Sequence, residues 1–131
     1  MGKLIRKLRY PLALAISAGI FLASSRATVP LPPFPGSDKV AHIATYFTLG
    51  LSYINVATVG FQQTQIPRLF IAWFATTLFG LSDEWHQAFV PGRQSDLMDV
   101  VADGFGAALA VFFVVAIWQR GKPQQQTNHD T

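Results

Sequence analysis

Four stretches of this chain contain no Asp, Glu, Lys or Arg: residues 10–25, 40–67, 69–82 and 104–119. The charges gather between these stretches and at the two ends. A soluble domain carries about a quarter charged residues, whereas here the share is 13%, beside 50% apolar residues. That deficit points to a bilayer rather than to a soluble core, and it predicts an all-α, polytopic membrane protein with four transmembrane helices.

A helix needs about 20 residues to cross the hydrocarbon core. Only 40–67 is long enough alone. The first stretch is completed by lysines and arginines that snorkel at its ends. The third and fourth span only if they carry their flanking acids into the membrane. The resulting organisation is a basic segment and first span (1–25), a Pro-rich external linker (26–37), a three-helix core (38–119) and a polar tail (120–131) expected to be disordered and cytoplasmic. A basic start, an apolar run and the small residues of "LASSRA" also describe a secretory signal peptide, and cleavage would leave three spans.

Basic residues set the orientation. With the N-terminus inside, Lys3, Arg6, Lys7, Arg9, Arg68, Arg120 and Lys122 lie on the cytoplasmic side, against Arg26, Lys39 and Arg93 outside. Both termini are therefore expected in the cytoplasm. The formal charge of +3 is topogenic: no basic stripe interleaves with aromatics, and nucleic acid is excluded as a partner. The absence of cysteine removes disulfides, thiolate metal ligands and a thiol nucleophile. Local signals place the helix ends. Ser37 is expected to cap the second helix, with Asp38 in its first turn. Pro67 suits the first turn of the third. "VPGRQS" (90–95) reads as a tight turn that makes the third and fourth helices antiparallel.

The polar residues of the spans fall at one depth. Asp83 lies about 22 Å above Arg68, and Asp103 about 25 Å above Arg120, at helical rise. His42 is only about 5 Å below Lys39 on the same measure. All three belong to the outer leaflet of a core about 30 Å thick. Asp38, His42 and Tyr46 share one helix face, as do Asp83 and Gln87, and as do Asp96, Asp99 and Asp103, with Glu84 beside Asp83. Intramembrane charges should turn from lipid toward one another or water. Lys39 and Arg93 are the nearby cations, and Arg93 is expected to be central because a guanidinium can bridge two carboxylates. The acids outnumber these bases, so protonation, a cation or a cationic ligand group must meet the excess.

The segments "DKVAHIATYFTLG" from Asp38 and "GLSDEWHQAFVPGRQSDLMDVVADGFGAALA" from Gly80 resemble the VanZ-like membrane protein family over roughly residues 38–118. Asp-Lys is followed three residues on by His and four later by Tyr. Asp-Glu with Gln, Pro-Gly-Arg and two acids before a Gly-x-Gly helix come after. Asp103 stands where the family often has Asn, and Ala110 where a Gly is usual. The resemblance implies a multi-pass protein of the bacterial inner membrane, part of the cell envelope, that affects glycopeptide (teicoplanin) susceptibility or handles lipid-linked envelope intermediates. The candidate site is Asp38, Lys39, His42, Tyr46, Asp83, Glu84, His86, Gln87, Arg93, Asp96, Asp99 and Asp103. It admits a structural network, a site for a lipid or phospholipid headgroup, or acid–base chemistry on a phosphate-bearing lipid by a membrane hydrolase or transferase; a structural or accessory subunit is the further alternative. No cofactor is established by the sequence. A divalent cation would use Asp83, Glu84, Asp99, Asp103 and His42, although no HExxH-type signature is present.

Overall fold

The computed structural model describes residues 2–58 and 65–121. Its elements are four helices, α1 (Gly2–Ser24), α2 (Ser37–Ala57), α3 (Ile66–Gln87) and α4 (Leu97–Arg120), with no strand among the described residues. The charge-free runs therefore became helices, but with shifted ends. Helix α1 begins at Gly2 and passes through Pro11, taking Lys3, Lys7 and Arg9 into its first turns. Helices α3 and α4 extend beyond their apolar runs and include Asp83, Glu84, Asp99 and Asp103. Helix α2 stops at Ala57; residues 59–64, and the expected tail from 122 on, lie outside the described residues.

The caps explain the ends. Ser37 is the first helical residue of α2, not its cap; that position belongs to Gly36, whose φ of 80° is left-handed and makes no side-chain capping bond. Asp38 does sit in the first turn, where a negative charge suits the helix dipole. Pro67 occupies the first turn of α3, where its missing N–H costs nothing. Beyond α3 the Arg93 N–H donates to the Val90 carbonyl, closing the expected turn. Asp96 then caps α4, its carboxylate accepting from the Met98 N–H at 2.9 Å.

Chain direction alternates, so the end of α1, the start of α2, the end of α3 and the start of α4 share one end of the bundle. Helix α4 packs mainly on α2 and then α3, while α1 packs on α2 and more lightly on α3. The α2–α4 crossing is close because Gly106 has no side chain: a Cβ there would collide with the Ile43 carbonyl. Ala107 and Ala110 continue this small-residue surface and are fully buried, the arrangement that lets apolar helices approach without a hydrophobic driving force. Ile54, Leu69, Ala72, Ala110 and Val114 form the apolar core, toward the end opposite the acids.

The molecule is otherwise inverted. Phe70, Phe74, Leu78, Trp85, Phe105 and Phe112 face outward, while Asp83, Glu84, Gln87, Asp99 and Asp103 are buried. So much exposed apolar surface fits a lipid surround rather than water. Among the described residues one helix, Leu97–Arg120, is by itself long and apolar enough to cross a membrane; the other three are long enough but not apolar enough to meet the same test.

Candidate functional site

Helices α2 and α4 run parallel, and their polar faces mesh like a ladder. Lys39 Nζ donates to Asp96 Oδ2 at 2.7 Å and to Asp99 Oδ1 at 2.5 Å, and lies 3.2 Å from Asp38. One turn further in, His42 Nδ1 is 2.8 Å from Asp103 Oδ1, and its Nε2 is 3.7 Å from Asp99 Oδ2. The i, i+3, i+7 spacing of Asp96, Asp99 and Asp103 matches that of Lys39, His42 and Tyr46, so successive rungs join the same two faces. Tyr46 stacks parallel to His42, ring centroids 6.3 Å apart. The Lys39 hydrogen bond, aided by the Met98 N–H, holds the Asp96 carboxyl below its ordinary range.

Helix α3 supplies the third wall. Glu84 Oε2 accepts the Asp96 N–H at 3.0 Å, and Oε1 accepts from Gln87 at 3.1 Å. Asp83, one residue earlier and so about 100° around the helix, turns toward α1 instead. It accepts from Ser24 Oγ at 2.6 Å and from Gln87 at 3.1 Å. Gly80 makes room for this packing: a Cβ there would lie 2.9 Å from the Cβ of Asp103.

A cavity of about 470 Å³ opens between α1, α2 and the ends of α3 and α4. Its apolar wall includes Ile16, Gly19, Ile20 and Ala23 of α1, and its polar side includes Asp38, His42, Tyr46, Asp83, Arg93 and Asp99. Three polar atoms around this end are buried without a hydrogen bond: the Tyr46 hydroxyl, Arg93 Nε and Asp103 Oδ2. Buried polar groups are nearly always paired in folded proteins, and two of these, the Tyr46 hydroxyl and Arg93 Nε, belong to residues that line the cavity.

The structure brings together Asp38, Lys39, His42, Asp83, Glu84, Gln87, Asp96, Asp99 and Asp103, with Tyr46 beneath them. It does not gather His86, which stacks on Phe21 at 4.4 Å and meets Ser25 Oγ at 3.0 Å. Arg93 is a correction too. It lines the cavity but makes no ion pair among the described residues, and the bridging cation is Lys39. Lys39 wins because α2 lies directly against α4, whereas Arg93 is carried on the turn beyond α3. Of the five candidate metal ligands, His42, Glu84 and Asp99 converge, each offering an atom within 4.8 Å of the others. Asp83 and Asp103 are engaged elsewhere. Sequence reasoning missed Ser24, whose "LASSRA" setting suggested processing, and Gly80, whose only signal is its position three residues before Asp83.

The VanZ/LLP1 family profile matches residues 7–119. The "Uncharacterized protein C11E3.10" of the fission yeast Schizosaccharomyces pombe is 33% identical over 92 residues, covering 70% of this chain. The chain spans 54% of that relative's length, about half. No solved structure matches.

Proposed function

The chain belongs to the VanZ/LLP1 family, and on that premise we propose that it is a four-span membrane protein that holds the polar head of an envelope lipid or lipid-linked intermediate. The observation that carries this reading is the cavity of about 470 Å³, apolar along α1 and polar toward α2, α3 and α4. An amphiphile matches such a wall: its chain lies against Ile16 and Ile20, and its head meets Arg93, His42 and the Tyr46 hydroxyl. The bundle spans with its acids shielded inside and its Phe and Leu side chains in lipid. The termini are cytoplasmic, and the cavity opens on the outer face of a bacterial inner membrane. A family match in a yeast favours a lipid head over a ligand restricted to bacterial walls; teicoplanin susceptibility is then a consequence of altered envelope lipids.

A second reading has its own support. His42, oriented by the buried Asp103 carboxylate at 2.8 Å, has the form of a general base held by an acid. Such a pair beside the cavity suits hydrolysis or transfer on a phosphate-bearing lipid. Short-chain phosphatidylglycerol added to the detergent-purified protein decides between these readings and a purely structural role. Saturable binding weakened by Arg93→Ala supports the headgroup site, lipid turnover lost in His42→Ala supports the enzyme, and the absence of both binding and turnover sinks both readings.

A further inference from the structure

We propose that His42, Glu84 and Asp99 bind a divalent ion of the zinc type, with Asp103 orienting the histidine. Three helices contribute to this point: His42 from α2, Glu84 from α3 and Asp99 from α4. Their ligand atoms already lie within 4.8 Å of one another. Ligands around a tetrahedral ion at bonds of about 2.1 Å stand about 3.4 Å apart, so modest side-chain rotation closes the set. The 3.7 Å between His42 Nε2 and Asp99 Oδ2 is long for a hydrogen bond and suits two ligands of one ion.

The surroundings are prepared in the same sense. Asp103 is fully buried and takes the Nδ1 side of His42 at 2.8 Å, which leaves Nε2 to face the other two ligands. A carboxylate behind a ligating imidazole is the usual device for fixing its tautomer and raising its basicity. Glu84 is likewise pinned, by the Asp96 N–H and by Gln87. A separate observation points to a ligand. The Tyr46 hydroxyl, on a side chain 1% exposed, lines the adjoining cavity with no hydrogen-bond partner, and it can serve a ligand or water of the ion.

Charge favours a cation. Lys39 is shared among Asp38, Asp96 and Asp99, whereas Glu84 and Asp83 have no Lys or Arg partner among the described residues. One imidazole nitrogen and two carboxylates suit Zn²⁺, with a fourth position open, better than Mg²⁺ or Ca²⁺, which favour oxygen alone. Because His42 and Asp99 also line the cavity, an ion there borders it, and the ligand class it would recognise is an anionic, phosphate-type head.

The site stands without the amphiphile reading, and the two fail separately. The full chain, free of any polyhistidine tag, is purified in detergent, stripped with chelator and titrated with Zn²⁺ against an indicator dye. One equivalent per chain is expected. Asp103→Asn should weaken it by about 10–100-fold, and His42→Ala should abolish it while helical circular dichroism is kept. Co²⁺ in the wild-type protein should give the strong visible bands of tetrahedral nitrogen and oxygen ligation, a readout that needs no variant to fold. Absence of stoichiometric Zn²⁺ binding, undiminished binding in His42→Ala, or an octahedral Co²⁺ spectrum overturns the site. Zinc binding without phosphatidylglycerol binding leaves the metal site and removes the amphiphile; the converse removes the metal alone.

Discussion

Lys39 is the residue on which the polar end of the bundle depends. Its ammonium is about a third exposed and serves three carboxylates, of which Asp99 is buried. Lys39→Met leaves Asp99 without its cation, and unpaired buried groups cost about 1–3 kcal/mol. Residual hydration of Lys39 in the native state places the loss at the lower end, about 1 kcal/mol, read as an earlier thermal transition in detergent. The same substitution should change the acid response. Asp96 is held below its ordinary value, with the Lys39 hydrogen bond as the main cause. A depressed carboxylate contributes stability that is present above the unfolded value of about 3.9 and is lost as pH falls through the folded one. The gap between wild type and Lys39→Met should therefore persist at pH 6 and narrow below about pH 4. An equal gap at both pH values would separate Asp96 from this ion pair. Gly80 gives a steric counterpart. A Cβ at Gly80 meets Asp103, whereas one at Gly19 meets nothing within 4 Å. Gly80→Ala should destabilise by about 1–3 kcal/mol through overpacking, while Gly19→Ala should be neutral or gain up to about 1 kcal/mol from helix propensity.

At the scale of helices, the contact between α2 and α4 decides which polar groups meet. A Cβ on Gly106 strikes the Ile43 carbonyl, and one on Gly104 only touches Thr77 Cγ2 at 3.4 Å. Gly106→Ala should push the two helices apart and lower folded yield, and Gly104→Ala should not; matching yields for both would mean that the crossing tolerates separation. This contact also explains how far the sequence could be read. Charge-free runs locate helices because they measure compatibility with lipid, yet they do not mark where hydrogen bonding starts or stops. Hence α1 extends back to Gly2 and α2 stops at Ala57. Faces at i, i+4 were legible, and His42 with Tyr46 and Asp99 with Asp103 do lie together. The choice of Lys39 over Arg93 was not, because it depends on the register between α2 and α4, which the close approach of Gly106 to Ile43 sets through tertiary contact. Nor was His86, two residues from Glu84 and so about 200° around α3, where it meets α1 and not the acids. Ser24 could be understood only once α1 was seen beside Asp83. Ser24→Ala removes a 2.6 Å hydrogen bond to that buried carboxylate and should cost about 1–3 kcal/mol, observed as looser proteolytic protection of α1.

For the whole molecule, the open question is which way the polar end faces. The end of α1, the start of α2, the end of α3 and the start of α4 form one pole; Gly2, Ala57, Ile66 and Arg120 mark the other. Lys3, Lys7, Arg9, Arg68 and Arg120 lie toward the second pole. Arg26, Lys39 and Arg93 lie toward the first. Lys39 is neutralised by its acids, which sharpens the asymmetry in free basic charge, and cytoplasmic retention acts on basic residues near the ends of spans. The second pole should therefore be cytoplasmic and the cavity external. Alkaline phosphatase fused after Gly92 should be active, and fused after Gln124 inactive, in a bacterial host. The reverse pair would turn the cavity toward the cytoplasm, where its polar head would have to belong to an inner-leaflet lipid. Activity at both fusions would mean an even number of crossings between them, so that α4, the one helix among the described residues that is both long and apolar enough to cross, would not cross, because the two fusions flank it. If α4 crosses as proposed, its entry at the polar pole forces Asp99 and Asp103 below the outer surface, and only the partners on α2 and α3 make that position tolerable. On the proposed reading, orientation and the internal acid cluster are thus one physical problem: an apolar exterior that suits lipid can enter it only if the shared Lys39 and the hydrogen bonds between helices let the acids go with it.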